Sequence, residues 1–417
     1  MMENWLVIGG GGREFALAQT LAKAGNRLVF VAPGNPKMAD LAHVEPVAID
    51  ELAFSQLAYF AKTHAVVCTV VGPEQPLSKG IVDYFEARDL PIFGPSQMAA
   101  RLETSKSFAK QIITDSGVPT AAYQEFTDKT QALSYAETLT YPQVIKADGL
   151  AAGKGVIIVN SAAEAKTAIT TIFDKPDQHR LLIEAYLTGE EFSLFTMVQG
   201  DQLVVMPIAQ DNKRLADGDK GPNTGGMGAY SPVPHITDDL KQAAIDQVVK
   251  PVLATMNTNG TPFNGFLYSG LMNTDQGLKV IEFNVRMGDP ETQVVLPQLT
   301  SDLGAIILDL LANQTPQVTW QTDDFYLGTV IASRDYPRNV VNGRPLPTIH
   351  NDQVLVSYAG VAEENGQPVS HGGRVMMVTA KAPDLKTAQQ LVNATLDADV
   401  DATAYTFRHD IGFHAFL

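Results

Sequence analysis

The first hundred residues alternate between short apolar runs and amphipathic stretches. The apolar runs lie at residues 6–10, 27–32, 65–71 and 91–94, and apolar residues follow helical spacing at 13–24, 51–62 and 77–88. Short buried strands that alternate with helices form parallel sheets covered by helices. The pattern therefore predicts an N-terminal parallel α/β domain.

The remaining chain mixes the two periodicities. A helical segment is predicted at 97–120, and strand-like pieces with an intervening helix at 162–173 fill residues 121–195. Further strands are predicted at 203–209 and 265–284, with helices at 237–256 and 301–312. The end of the chain has the pattern of a small α/β unit, with strands at 327–332, 353–357 and 374–380 and a helix at 385–396.

Length and charge narrow the possibilities. A chain of 417 residues is too long for a single core, so two to four domains are expected. The net charge of −16 argues against a nucleic-acid partner, whose phosphates would be repelled. A small phosphorylated ligand remains possible, because salt screens charges beyond roughly 8 Å and a local cluster of cations can still hold phosphate.

Cys68 is the single cysteine and lies within the apolar run AVVCTVV. We expect it to pack as a small hydrophobic residue in a strand. Without a possible intramolecular disulfide, a reducing cytoplasm is the predicted location. The first residues lack the pattern of a signal peptide, and no run approaches the ~20 apolar residues of a membrane span.

Residues 217–232, DGDKGPNTGGMGAYSP, form the most unusual stretch. Five of the sixteen residues are glycine and two are proline, which disfavours a helix interior or a long strand. We therefore predict a long, turn-rich loop. Compact domains seldom keep such loops without a function. Asp217, Lys220 and Asn223 add charge and hydrogen-bonding groups where glycines let the backbone approach a ligand.

A glycine run, Gly9–Gly12, follows the first predicted strand. It does not match the dinucleotide-binding fingerprint, because Glu14 or Phe15 occupies the third glycine position and the second strand runs into Pro33 without an acid. Two interpretations stay open. The turn beside Arg13 is either an anion site at a helix N-terminus or a turn that packs closely against its neighbours.

Lys146 ends an apolar strand and is followed by the glycine-rich stretch Gly149–Gly155. The glycines of this stretch, including Gly153 next to Lys154, suit a loop that folds over phosphates. The Walker pattern is absent, because a glycine follows Lys154 where Ser or Thr is required. A nucleotide site of another design is predicted, and a β-hairpin with exposed lysines is the alternative.

Glu184 and Leu187 lie where the strand RLLIEA leads into a short extended connection. Backbone groups in such a connection can pair with the edge of an adenine ring, and Glu191, seven residues after Glu184, can accept hydrogen bonds from ribose hydroxyls. Acidic residues near a turn are more often solvated, so this signal is weak by itself.

Glu282, Asn284 and Arg286 alternate along the predicted strand KVIEFNVR, so they should share one face. Two oxygen ligands at this spacing suit Mg²⁺, and Arg286 could hold a phosphoryl group during its transfer. Asp289 follows in the segment GDPETQ. Burying three such side chains without a ligand would be costly.

Several motifs together resemble the phosphoribosylamine–glycine ligase family of the ATP-grasp superfamily, and they occur in order along the whole chain. They are GGGGREFAL (9–17), GPEQPL (72–77), SKSFAK (105–110), KADGLAAGKGV (146–156), EAYLTGEEFS (184–193), DGDKGPNTGGMGAYSP (217–232), GFLYSGLM (265–272), KVIEFNVRMGDPETQ (279–293) and RHDIG (408–412). The resemblance implies an N-terminal Rossmann-like domain (1–104), an ATP-grasp domain of two α+β subdomains (105–325) with a lid at about 121–192, and a C-terminal domain (326–417).

The resemblance also implies an activity. Enzymes of this family use ATP to activate the carboxylate of glycine as an acyl phosphate, which the amine of 5-phosphoribosylamine attacks in purine biosynthesis. ATP, glycine and the amine would be the only partners of a cytoplasmic monomer or weak homo-oligomer, with Mg²⁺ or Mn²⁺ as the metal.

Carried over by position, the family's site residues fall into four groups. The implied nucleotide contacts are Lys106, Lys146, Gly153, Lys154, Glu184, Leu187 and Glu191, and the implied metal ligands are Glu282 and Asn284. The implied catalytic residues are Arg286, Asp217, Lys220 and Asn223. The implied substrate contacts are Gly11, Gly12, Arg13, Glu74, Gly225, Gly226, Met227 and Asp289.

Five positions depart from the family pattern, namely Phe15, Pro36, Ala185, Asn212 and His414. Phe15 replaces a histidine and cannot donate a hydrogen bond, so the N-terminal part of the substrate site is in question. Three other hypotheses remain: an ATP-grasp ligase for formate or bicarbonate, a nicotinamide-dependent oxidoreductase, and a binding protein without activity.

Overall fold

The computed structural model of the protein describes residues 2–149, 155–176 and 178–416. The chain begins with a five-stranded parallel sheet of order β3-β2-β1-β4-β5. Its strands are β1 (Glu3–Gly9), β2 (Arg27–Pro33), β3 (Val44–Pro46), β4 (Val66–Val71) and β5 (Ile92–Phe93), and its helices are α1 (Gly12–Ala22), α2 (Phe54–Thr63), α3 (Glu74–Ser78) and α4 (Ile81–Glu86).

This sheet confirms the predicted parallel α/β domain. Residues 5–8 of β1 are completely buried, as expected when helices cover both faces of a parallel sheet. The helix predicted at 77–88 is instead two helices that meet at Gly80. Cys68 is fully buried in β4, and burial raises the pKa of its thiol, which confirms its prediction as a small core residue.

A second, separately packed unit follows. It is preceded by α5 (Arg101–Thr104) and α6 (Lys106–Asp115), whose Leu102 and Ile112 pack in the larger core of the molecule. The unit itself contains β6 (Tyr123–Phe126), α7 (Lys129–Ala136), β7 (Gln143–Ala147), β8 (Val156–Val159), α8 (Ala162–Phe173) and β9 (Leu181–Ala185). The strands form an antiparallel sheet of order β6-β9-β7-β8, with a core of its own that includes Ile145, Ile169 and Ile183. The helix predicted at 97–120 is split at Ser105, whose hydroxyl caps α6 by accepting the Phe108 N–H.

The next segment builds the antiparallel sheet on which the site rests, of order β11-β10-β16-β17. The whole segment, of which only four strands belong to this sheet, contains β10 (Glu190–Gln199), β11 (Gln202–Val205), β12 (Gln210–Asp211), β13 (Arg214–Ala216), β14 (Lys220–Asn223), β15 (Gly228–Ser231), α9 (Asp238–Ala244), α10 (Lys250–Thr258), β16 (Gly265–Thr274), β17 (Gly277–Asn284), α11 (Thr292–Val295) and α12 (Leu303–Leu311). A π-helical turn at Ile245–Val249 joins α9 to α10, so the long helix predicted at 237–256 is confirmed.

The C-terminal region contains β18 (Phe325–Ser333), β19 (Val354–Tyr358), β20 (Val361–Glu364), β21 (Gln367–Ser370), β22 (Arg374–Ala382), α13 (Leu385–Asp399) and β23 (Tyr405–Thr406). The three strands and the helix predicted here are confirmed. Short 3-10 helices occur at Pro36–Asp40, Leu296–Gln298 and Phe413–Phe416.

One expectation for residues 217–232 needs correction. The segment is not a continuous loop, because β14 pairs with β13 and β15 pairs with both β12 and β18. The resulting six-stranded sheet, β12-β15-β18-β22-β19 with β23 added to β18, joins two strands of the middle region to the strands of the C-terminal region. Local sequence patterns carry no signal for such a pairing, because β18 lies about a hundred residues after β15.

Among the described residues, no helix combines the length and apolar character that crossing a bilayer requires.

Candidate active site

The exposed face of β17 carries the predicted acid, amide and arginine. Phe283 and Val285 are buried, whereas the alternate residues Glu282, Asn284 and Arg286 are only half-buried and face the cleft, as alternation predicts. A guanidinium nitrogen of Arg286 lies 3.4 Å from the Asn284 side-chain oxygen. The structure therefore brings these three side chains together.

Cations surround the Glu282 carboxylate. Burial by itself would raise the pKa of Glu282, yet the neighbouring cations hold that pKa below its ordinary value. These cations are Lys213, Lys146, Lys106 and Arg286. A carboxylate with several cations beside it in a cleft is the arrangement expected for a metal-bound polyphosphate.

Lys106 starts α6 at the edge of the cleft. Its N–H donates to the Asp148 carboxylate at 2.6 Å, and its ammonium donates to the Gly149 carbonyl at 3.1 Å. Burial lowers the pKa of the Lys106 ammonium, and the Glu282 carboxylate opposes that shift. Gly153 and Lys154, predicted to cover the phosphates, lie outside the described residues.

Glu184 on β9 is buried between two lysines. Its carboxylate lies 3.0 Å from the Lys146 ammonium and 3.4 Å from that of Lys110, and burial lowers the pKa of Lys110 to about 8. Lys146 also donates to the Ile281 carbonyl on β17 at 3.2 Å, which joins the two sheets. The Glu184 side chain thus faces the lysines, and the extended connection that contains the half-buried Leu187 follows it.

Glu191 on β10 forms an ion pair with Lys213, a residue that the sequence reasoning missed. Burial would lower the pKa of Lys213, but the Glu191 carboxylate and other acids around the cleft raise it. The available signal was a Lys-Arg pair directly before the glycine-rich segment. It carried little weight because most lysines in such loops are solvated.

Arg286 also links the cleft to the N-terminal half. Its guanidinium lies 2.8 Å from the Glu103 carboxylate and 3.4 Å from that of Glu74, the predicted substrate contact on α3. Glu103 was not predicted, and it also accepts the Val285 N–H at 2.8 Å. Two acids therefore fix the orientation of the arginine beside Glu282 and Asn284, the predicted metal ligands.

The glycine turn before α1 holds carboxylates of the protein itself. The Gly11 N–H donates to Glu14 at 2.6 Å, and the Arg13 side chain donates to the same carboxylate. Burial would raise the pKa of Asp289, but Arg374, Arg13 and the Arg13 backbone N–H lower it. Close packing of the turn is favoured, and its neighbourhood is rich in acids.

The glycine-rich segment divides into a tip and a base. At the tip, Asp217 accepts the His409 N–H at 3.1 Å, and the exposed Lys220 begins β14. This hydrogen bond attaches the predicted catalytic residue Asp217 to the C-terminal RHDIG segment. Asn223, at the end of β14, pairs with Arg214 on β13.

The base of the segment, residues 224–228, reaches the cleft. Met227 is fully buried, and its N–H and C=O bond to the Asn212 carbonyl and the Val330 N–H. Gly226 has a φ of +113°, and a Cβ added there would clash with Pro290. Only glycine fits at this close approach of two loops.

Two more acids, the half-buried Asp211 and the buried Glu291, lie near this base, and the sequence reasoning assigned neither a role. Burial raises the pKa of Asp211, and the nearby Glu291 carboxylate raises it further. Burial also raises the pKa of Glu291, whose carboxylate accepts the Ser193 hydroxyl at 3.2 Å. A positively charged group brought to this point would be stabilised by both.

Three of the five departures from the family pattern have defined contacts in the structure. Phe15 is buried, and its ring packs 5.9 Å from that of Tyr358. His414 hydrogen-bonds to Asp219 at 2.8 Å, so it can still place a cation beside that acid. The buried Asn212 accepts the Gly412 N–H at 3.4 Å.

Comparison with known proteins agrees with this geometry. Three domain families match in order: Phosphoribosylglycinamide synthetase, N domain, at residues 3–103, its ATP-grasp (A) domain at 104–292, and its C domain at 326–414. The chain belongs to the phosphoribosylglycinamide synthetase family. A phosphoribosylamine–glycine ligase of Lactococcus lactis is 48% identical over 412 residues, which cover 98% of this chain and 99% of that protein.

Solved structures of other proteins share the architecture of this chain. The phosphoribosylamine–glycine ligase of Thermotoga maritima superposes with a TM-score of 0.83 at 30% identity, covering 98% of this chain and all of that one. A biotin carboxylase domain from Hydrogenobacter thermophilus, 14% identical, superposes with a TM-score of 0.72 over 98% of this chain and 92% of that one. The latter likeness shows the shared ATP-grasp fold alone.

Proposed function

We propose that this protein is an ATP-dependent ligase that joins glycine to 5-phosphoribosylamine, with glycinamide ribonucleotide, ADP and phosphate as products. The observation that carries the proposal is the group of cations around Glu282 at the end of β17. Family membership indicates glycine and 5-phosphoribosylamine, the two acceptor substrates. The cations of the site can hold the triphosphate of ATP.

The residues at this point fit a divalent cation. Glu282 and Asn284 offer two oxygen ligands on one face, and neighbouring cations keep the acid ionised. Mg²⁺ or Mn²⁺ held there would neutralise charge on the transferring phosphoryl group. Lys106, Lys146 and Lys213 would hold the phosphate oxygens, and Arg286, oriented by Glu103, would stabilise charge that develops during transfer.

The chemistry then needs positioning rather than an enzyme nucleophile. A carboxylate oxygen of glycine attacks the γ-phosphorus of ATP, so a carboxyl–phosphate bond forms as the bond to ADP breaks. The amine of phosphoribosylamine next attacks the carboxyl carbon, phosphate leaves, and the amine loses a proton. Each step brings anions together, and the cations of the cleft reduce that repulsion.

The adenine and ribose would bind along the connection after β9. Residues 186–189 lie outside helices and strands, so the backbone near Leu187 is available to an adenine edge. Glu191, at the start of β10, pairs with Lys213, so the acid would contact the ribose while the lysine contacts a phosphate. The separately packed unit of β6–β9 would close on the nucleotide as a lid.

The acceptor substrates would bind on the acid-rich side of the cleft, between the α1 turn and the base of the glycine-rich segment. Gly11, Gly12 and Arg13 lie beside Asp289, and Glu74 faces Arg286. Carboxylates suit the amines and hydroxyls of the two acceptors. Gly225 and Gly226 let the backbone of the base pack close to Arg374 and Pro290, which shapes this side of the cleft.

We further propose that the enzyme acts in a reducing cytoplasm as a monomer or weak homo-oligomer, without a nucleic-acid partner. The single thiol is buried, and the acidic net charge disfavours binding to polyanions.

The test is phosphate release from ATP with Mg²⁺ and each candidate acid, with and without phosphoribosylamine. We expect turnover with glycine and the amine, and little with formate or bicarbonate. Equal turnover with formate would contradict the proposal. Binding of NAD(P) in calorimetry would instead favour the oxidoreductase hypothesis.

A further inference from the structure

One side chain of the C-terminal region reaches both loops at the acid-rich side of the cleft. Arg374, the first residue of β22, donates from its Nη1 atom to the carbonyl oxygens of Gly225 and Asp289, both at 2.6 Å. The Gly226 carbonyl oxygen lies 3.4 Å from the same nitrogen. Since these carbonyls lie 149, 85 and 148 residues away along the chain, Arg374 joins segments that the sequence keeps far apart.

A second group from the same region completes the contact. The Tyr336 hydroxyl accepts the Gly225 N–H at 2.9 Å. Both polar groups of the Gly225 backbone are therefore bonded to the C-terminal region. A Cβ added at Gly225 would lie 3.0 Å from the Arg374 guanidinium carbon, so a larger residue would push the arginine away.

The guanidinium also faces the acids of the site. Its Nη1 atom lies 3.7 Å from the Asp289 carboxylate. Burial would lower the pKa of Arg374, but Asp289 and other acids, including Asp211 and Glu291, raise it. Arg374 stays charged and offsets part of the negative charge of this side.

We propose that Arg374 is a positioning residue for the acceptor half of the ligase reaction. It fixes the Gly225–Gly226 backbone against the Asp289 loop, so that glycine and the amine meet preformed contacts. The nucleotide contacts on β7, β9 and β17 do not depend on it. The proposal rests on the proposed function for its substrates, whereas the contact itself is independent of that function.

The experiment compares Arg374→Ala and Arg374→Lys with Arg344→Ala. Arg344 is the matched control, because it is similarly half-buried in the C-terminal region and donates to the Ala404 carbonyl at 2.7 Å, away from the cleft. We expect Arg374→Ala to raise KM for glycine and for the amine by about tenfold or more, with KM for ATP within about twofold of the wild type. Lysine keeps one donor and should restore part of the loss.

Two further measurements separate positioning from general stability. Added guanidinium ion at low millimolar concentration should partly rescue Arg374→Ala and leave Arg344→Ala unchanged. Amide hydrogen exchange at Gly225 and Gly226 should accelerate in Arg374→Ala and stay slow in Arg344→Ala.

Parallel increases in all three KM values, or the same loss in Arg344→Ala, would overturn the proposal. Unchanged exchange at Gly225 and Gly226 in Arg374→Ala would overturn it as well. If the wild-type protein cleaves no ATP with glycine, the proposed function fails, and the exchange comparison still decides whether Arg374 fixes the loop.

Discussion

The two sides of the cleft differ in charge although one segment, residues 279–293, contributes charged residues to both. On the side proposed to bind the nucleotide, called the nucleotide side and defined by Lys106, Lys146, Lys213 and Arg286 around Glu282, cations predominate. On the side proposed to bind the acceptor substrates, called the acceptor side and defined by Asp211, Asp289, Glu291 and Glu14 with Arg13 and Arg374, acids predominate. The net charge of −16 therefore says nothing about either side, because the fold sorts the charges locally.

The sorting has a chemical reason. A triphosphate needs cations, and acids suit the amines of the two acceptors, while Arg13 and Arg374 offset part of the charge of those acids; the reacting atoms must meet between the two sides. The chain leaves β17 at Asn284 and turns at residues 289–290, so that Asp289 lies beside Arg374 and the turn before α1. Substitutions on each side should therefore show whether the two sides act separately.

Glu282→Gln should produce the largest effect. Removing the charge at the centre of the nucleotide side should lower glycine-dependent phosphate release by on the order of 10³-fold. The matched control is Glu363→Gln, an exposed acid on β20, which should leave the rate unchanged. If Glu282→Gln keeps more than a tenth of wild-type activity, the cation cluster is not the phosphoryl-transfer site.

Arg286→Lys should lower the same rate by about 10²-fold, because lysine cannot contact Glu103, Glu74 and Asn284 at once and small displacements are costly in phosphoryl transfer. Arg88→Lys, just after α4, is the control. A rate loss shared by both variants would point to a general effect of arginine replacement.

Gly226→Ala tests the junction between the two sides. The added Cβ would clash with Pro290 and lie 2.8 Å from the Asp211 carboxylate, at a φ of +113°. We expect a loss of about 2–3 kcal/mol in the free energy of unfolding, measured in denaturant. Gly260→Ala, with φ +71° and open space around it, should cost only about 1 kcal/mol. Equal losses would mean that the close approach of the loops contributes nothing.

Lys213→Met should raise KM for ATP by about tenfold and leave KM for glycine nearly unchanged, since Lys213 belongs to the nucleotide side. Lys250→Met is the control, because Lys250 is exposed on α10 and pairs only with Asp246 four residues earlier. A larger change in KM for glycine than in KM for ATP would show that Lys213 does not belong to the nucleotide side.

His414→Gln should have the smallest effect, and it should depend on pH. The hydrogen bond to Asp219 raises the pKa of His414, with Glu190 adding to the shift and Arg408 opposing it. A raised pKa in the folded state means that this stabilisation is complete below the unfolded value near 6.5 and is lost as pH rises through the folded value. The stability difference from wild type should therefore be below about 1 kcal/mol at pH 6 and vanish at alkaline pH.

Thermal unfolding from about pH 5.5 to 9 measures this dependence. The control is His350→Gln, since His350 is 76% exposed beside Asp399 and should show little effect at any pH. A difference that grows with pH would contradict the assigned ion pair.

Much of the fold could be predicted because it follows from local patterns. The alternation of side chains along β17 is enough to place Glu282, Asn284 and Arg286 on one face. Apolar runs predicted the parallel sheet, and the burial of Cys68 followed from its neighbours in β4. In each case the information lies within a few residues, since strand and helix periodicities are properties of the local backbone.

The partners of these residues were decided only by the tertiary structure. Lys213, Glu103 and Arg374 carry no distinctive local motif, and each acquires its role from a group tens to hundreds of residues away. The pairing of β15 with β18, which merges the glycine-rich segment into the C-terminal sheet, was equally invisible. The sequence by itself determined which side chains each strand offers to the cleft, and long-range packing determined which charges meet there, because contacts distant along the chain depend on how whole sheets and domains fit together.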